Sequence, residues 1–259
     1  MGVSYQIVLF AVIIGILPIT WWLWVIIKEN HIGKGSMNLL VEIFFFGVLT
    51  AVPASIIEMI ITETGGGNQI IVRIQNLWLF GEVPFQFIGF LSAFLIATIE
   101  ELSKLIGVLI ALRKRKIKNP NDGLIFGIIV GLAFAVTENG VYFTSAVQLN
   151  KIAEFSSVVA FRFILSTSAH IIYSGLAGLF LVKAKFANGF QKIKFVGLAI
   201  LFPILIHATF NFLIGSLRSI NEAIMAIIMA VGLVYVMEQI SREQRDKNRL
   251  HCKEKNAKS

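Results

Sequence analysis

Apolar residues run in stretches of about twenty along nearly the whole chain, interrupted by short polar connections. A helix of that length spans a hydrocarbon core of about 30 Å. The pattern predicts seven membrane spans, over residues 5–27, 38–62, 85–112, 123–148, 157–182, 193–215 and 222–239. The expected fold is an all-α, polytopic transmembrane helix bundle over residues 1–240, followed by a basic tail over 241–259. The first run is too long, and lacks the basic flank, for a cleaved signal peptide. Gln6 stands where a myristoylation pattern needs Ser or Thr.

Composition sharpens this picture. Of 259 residues, 56% are hydrophobic and 15% charged, which excludes an ordinary soluble domain. The net charge of +8 does not imply a nucleic-acid partner, because the basic residues lie in connections and the tail. Lys28 and Lys34 fall in one connection, Arg113, Lys114, Arg115, Lys116 and Lys118 in another, and four lysines between 183 and 194 in a third. The alternate connections are poor in positive charge, so the positive-inside rule predicts an outside N-terminus and a cytoplasmic tail. That tail is expected to be flexible or to lie against anionic headgroups. Cys252, the single cysteine, cannot form an internal disulfide.

Residues 64–84 break the pattern with Gly65, Gly66, Gly67 and an apolar stretch, Ile70 to Phe80, too short to cross. Two readings stand: an outer-leaflet segment anchored by Trp78, or a loop packed on the bundle. Gly123, Gly127 and Gly131 share one face of the fourth span, where missing side chains permit close helix contact. No internal repeat suggests duplicated transporter halves.

Chemistry enters with the polar residues inside the spans: Glu100, Glu101, Lys104, Glu138, Asn139, His170, His207 and Asn211. One charge at the centre of a span costs about 3 kcal/mol on insertion scales, so these groups must face one another or a water-filled cavity. At about 1.5 Å per residue, Glu100, Glu138, His170 and His207 all lie roughly 20 to 24 Å above the cytoplasmic boundary. Residues four apart share a helix face, which pairs Glu100 with Lys104, Phe134 with Glu138 and His207 with Asn211. A lone histidine is as readily an interhelical hydrogen bond, and a lone Glu–Lys pair a structural ion pair. Grouped on four helices at one depth, they point to a functional site.

Glu100-Glu101-Leu102-Ser103-Lys104 forms EExxK, Phe134 to Asn139 forms FxxxEN, and His207 to Asn211 forms HxxxN, with His170 between. Together these resemble the PrsW family of membrane-embedded proteases. That family is related to the CAAX-processing and bacteriocin-processing membrane proteases, whose order is EExxxR, FxxxH, HxxxN. Asp122-Gly123 opening the fourth span and Arg162 eight residues before His170 add to the likeness, which covers residues 98–211. It implies a multi-pass protein of the cell membrane that cleaves a membrane-anchored protein, with an anti-sigma factor as the kind of substrate.

Hydrolysis by such a site assigns the general base to Glu100 or Glu101, which point about 100° apart on a helix. His170 and His207 then stabilise the oxyanion or protonate the leaving amine, and Asn211 fixes the His207 tautomer or contacts a substrate carbonyl. Glu138 positions the water. Lys104, Phe134, Asn139 and Arg162 are supporting residues. Metal-free catalysis is expected, with zinc on two histidines and a glutamate as the alternative. The other function class is a proton-coupled transporter or channel built on the same groups. The sequence leaves the oligomeric state open.

Overall fold

The structure is a computed structural model. It describes residues 34–63, 85–114, 120–148 and 161–215, with 9, 13, 20–24, 159 and scattered positions from 227 to 238. Every described residue except 187 and 188 is helical. The elements are α1 (Lys34–Glu63), α2 (Phe85–Lys114), α3 (Pro120–Gln148), a π-helical turn (Arg162–Ser166) running into α4 (Thr167–Phe186), and α5 (Gly189–Gly215). Each falls on one predicted span and runs past at least one end of it, because a helix need not stop where the lipid does. Pro120 opens α3 at a position where its missing N–H has no helical partner to lose. At the same end of the bundle Lys183 and Lys185 occupy the last turn of α4, where cations complement the free carbonyls. The chain then turns through an extended Ala187 and through Gly189 at φ 52°, a left-handed conformation that favours glycine.

Four helical segments are long and apolar enough to cross a membrane: Met37–Glu58, Pro120–Phe143, Arg162–Phe186 and Gly189–Ile214. α2 is as long as α1, at 30 residues, but carries Glu100, Glu101 and Lys104 in its second half. The expected spans 5–27 and 222–239 lie mostly outside the described residues. The 64–84 segment with Trp78 and the 241–259 tail with Cys252 lie wholly outside them.

Around the bundle the neighbours run α1, α3, α4, α5, and α2 closes the ring between α5 and α1 while also touching α3 and α4. α3 and α4 are the inner helices, with 67% and 78% of their spans buried against 28% in α1 and 33% in α5. The polarity is inside out. Phe45, Leu49, Val52 and Ile56 of α1, and Leu102, Ile106 and Leu109 of α2, are exposed apolar stripes, whereas Glu100, Glu101, Lys104, Asn139, Arg162, His170 and His207 are buried. Only a lipid environment makes that arrangement favourable.

The glycine stripe of α3 fixes the register of the two inner helices. A Cβ on Gly123 would run into the carbonyl of Gly178, one on Gly127 into that of Ser174, and one on Gly131 into that of His170. Residue numbers rise along α3 as they fall along α4, so the pair is antiparallel and in backbone contact over two turns. Gly131 sits directly against the His170 peptide, which brings this stripe to the edge of the charged cluster.

Candidate active site

The cluster begins on α2. Lys104 is 1% exposed, and its Nζ lies 3.2 Å from Glu100 Oε2 and 2.6 Å from Glu101 Oε1. Glu100 is at i−4 and Glu101 at i−3 of this lysine, so both flexible carboxylates bend to one ammonium. The 100° divergence expected of adjacent residues is thus lost at the side-chain ends.

From α5, His207 Nδ1 is 2.8 Å from Glu101 Oε1. With the ammonium on the same oxygen, that carboxylate acts as acceptor, which puts the imidazole proton on Nδ1 and leaves Nε2 with a lone pair. Nε2 is 3.9 Å from Glu100 Oε2, too far for a hydrogen bond. The group that orients His207 is therefore Glu101, in place of the expected Asn211. Asn211 is half-buried one turn along α5, and among the described residues it has no hydrogen bond to His207.

The second half of the site lies between α3 and α4. Glu138 Oε2 takes His170 Nε2 at 2.6 Å and Arg162 Nη2 at 3.1 Å. Arg162 Nε donates to Asn139 Oδ1, Asn139 Nδ2 donates to Thr167 Oγ1 at 3.3 Å, and that hydroxyl donates to the Arg162 carbonyl at 2.9 Å. The Arg162 guanidinium also stacks on Tyr142, 3.9 Å from its ring centroid, a favourable cation–π contact. The π turn explains how Arg162 and His170 reach one carboxylate. A regular helix would put residues eight apart roughly 80° out of line, and the wider i→i+5 turn reduces the rotation per residue.

Phe134 and the histidines join the halves. Its ring lies under Lys104, 4.5 Å from Nζ to the centroid, and stacks on His170 at 6.0 Å. His170 and His207 meet edge to face at 5.8 Å. All five expected catalytic residues, Glu100, Glu101, Glu138, His170 and His207, thus fall in one contiguous cluster fed by α2, α3, α4 and α5.

Two three-residue sets have donor atoms within 4.8 Å of one another: Glu100, Glu138 and His170, and Glu100, Glu101 and His207. Each offers two carboxylates and an imidazole, a donor set that suits zinc. Three carboxylates against the fixed charges of Lys104 and Arg162 also leave a negative balance. The first set fits better, since it leaves out Glu101, whose Oε1 already holds Lys104 and His207.

Two residues of the cluster are absent from the sequence expectation. Tyr173 stacks on His207, with centroids 5.0 Å apart and rings 28° from parallel. Its signal is the three-residue offset from His170 on an otherwise small and aliphatic helix face. Glu58 lies one turn beyond Ala54 on the face of α1 that packs on Phe134, and it feels the charges of Glu100, Glu138 and Lys104. It is an acidic residue inside the predicted 38–62 span, but near its end.

The sequence model of the family described as "PrsW family intramembrane metalloprotease" matches residues 35–237. A protein named Protease PrsW from Shouchella clausii (strain KSM-K16) is 29% identical over 185 residues, covering 71% of this chain and 74% of the relative. Its namesake in Clostridioides difficile (strain 630) is 28% identical over 188 residues, 71% of this chain and 75% of the relative. For the Bacillus subtilis (strain 168) Protease PrsW the figures are 24% over 192 residues, 74% and 76%. No solved structure matches.

Proposed function

We propose that this chain, which belongs to the PrsW family of intramembrane proteases, hydrolyses a peptide bond in a membrane-anchored protein with Glu100 as the general base. The observation that carries this reading is the convergence of Glu100, Glu101, Glu138, His170 and His207 on one buried cluster. Glu100 belongs to both donor sets and has the longer of the two bonds to Lys104, so it is the carboxylate free to act on water. A water between Glu100 and His207 Nε2 would give one proton to Glu100 and direct its other O–H to the imidazole. Glu101 and Lys104 hold His207 in the tautomer this needs, and Glu138 with Arg162 fixes His170 on the opposite wall. Asn211 is assigned to a substrate carbonyl.

The reading needs no metal. Zinc is the second reading, favoured by the Glu100, Glu138 and His170 donors and by the description of the family as metalloproteases. When bound there it would supply a Lewis acid for the carbonyl and a more acidic water. The substrate is a single-span protein presented from the bilayer, and the anti-sigma-factor class implied by the motifs is the first to try.

The test uses purified protein in detergent and a panel of tagged single-span substrates, beginning with anti-sigma factors. Cleavage by the wild type and its loss in folded Glu100→Gln, Glu101→Gln and His207→Ala proteins are the expected results. Proton flux through liposomes, carried by the wild type in the absence of any cleavage, would replace this reading with a transporter.

A further inference from the structure

Both imidazoles of the site face a carboxylate, His207 through an Nδ1 hydrogen bond to Glu101 and His170 through an Nε2 contact of 2.6 Å with Glu138 Oε2. Each turns a lone pair, not a donor, toward the remaining space. Hydrolysis nevertheless builds negative charge on the carbonyl oxygen, and preorganised donors at that oxygen are commonly the largest catalytic term. In these tautomers a further donor would serve that oxygen and leave the histidines for the water and the leaving amine.

Tyr173 meets the requirement. It is 1% exposed, its ring lies against His207, and its Oη is buried without a hydrogen-bond partner among the described residues. Ser174 Oγ also lacks a partner among the described residues, but it lies in the α3–α4 seam against Gly131. Leaving a buried hydroxyl unpaired is costly, and a substrate carbonyl would give it an acceptor.

We propose that the Tyr173 hydroxyl binds the scissile carbonyl oxygen and stabilises it as the tetrahedral oxyanion. The inference rests on the hydrolytic reading above. Water loses a proton to Glu100 as its oxygen bonds to the carbonyl carbon, and the π pair moves onto the carbonyl oxygen. Tyr173 donates its O–H to that oxygen and stays protonated. The pair then returns, the C–N bond breaks, and the leaving amine takes the proton from Glu100. A phenol suits the role because it is a neutral donor on a rigid ring, needs no protonation change, and is held in place by the His207 stack.

Cleavage of a tagged single-span substrate by the purified full chain tests this, comparing wild type, Tyr173→Phe and Glu100→Gln. Phenylalanine keeps the ring and its stacking and removes the oxygen alone. The expected result is a kcat lower by at least about 100-fold, KM within about twofold, and an unchanged unfolding midpoint. Wild-type kcat in Tyr173→Phe, with Glu100→Gln inactive, overturns the oxyanion role and leaves the hydrolytic reading intact. A fall in activity matched by a fall in unfolding midpoint assigns Tyr173 to packing and also overturns it. No cleavage by the wild type, or full activity in Glu100→Gln, removes the hydrolytic reading and this inference together.

Discussion

Replacing Lys104 with methionine should unfold the site from its centre. The lysine is 1% exposed, and its ammonium bonds two carboxylates that are themselves buried, Glu100 at 3.2 Å and Glu101 at 2.6 Å. Methionine matches the stem and keeps its packing on Phe134, but removes the only cation that contacts Glu100 or Glu101 among the described residues. Breaking a buried pair by deleting one partner typically costs about 3 to 5 kcal/mol, because the surviving charge is left without compensation. Here two carboxylates lose the same partner, so the loss belongs at the upper end, about 5 kcal/mol. The assay is equilibrium unfolding in detergent micelles for wild type, Lys104→Met, Glu101→Gln and the double variant. Removing the stranded charge as well should return at least about 2 kcal/mol, a coupling that only groups in contact show. A single-variant loss below about 1 kcal/mol, or losses that simply add, would refute the argument that Lys104 neutralises a buried acidic pair.

Three further outcomes are expected. Gly131→Ala should cost about 1 to 3 kcal/mol and lower activity, because its methyl meets the His170 carbonyl; Gly140→Ala, with nothing within 4 Å, should leave the unfolding midpoint level or raise it slightly. Arg162→Lys should lower kcat at least about tenfold, since a lysine cannot reproduce the fork that reaches both Glu138 and Asn139; activity equal to wild type would show that the fork is dispensable. Prolonged dialysis against a strong chelator should leave cleavage intact, and loss of activity restored by zinc alone would transfer water activation to a metal on Glu100, Glu138 and His170.

Much of the site was legible because lipid makes ionisable residues conspicuous. Glu100, Glu101, Glu138, His170 and His207 interrupt apolar runs, and helical rise alone put four of them at one depth. The hydrophobic runs also located α1 to α5, because a span is set by the thickness it must cross. Partner choice was less legible. That Glu101 and not Asn211 holds His207 depends on which of two adjacent carboxylates bends toward α5, and a helical wheel carries no such information. The π turn at Arg162 was equally hidden, for it leaves no mark in the spacing of apolar residues. Tyr173 was passed over because a tyrosine in a span is cheap to bury, and only its neighbours give its hydroxyl a meaning. Glu58 was masked by its closeness to the end of its run.

The contact of the α3 glycines with α4 carbonyls has a mechanical consequence. Backbones that touch over two turns cannot slide by small amounts, because each intermediate offset drives a peptide oxygen into a Cα. Sliding is confined to steps of one helical pitch, about 5.4 Å, in the manner of a ratchet. One such step would carry His170 out of reach of Glu138 altogether. Stretching or thinning the surrounding bilayer therefore cannot gradually detune this enzyme: the histidine and its carboxylate are either engaged or a full notch apart.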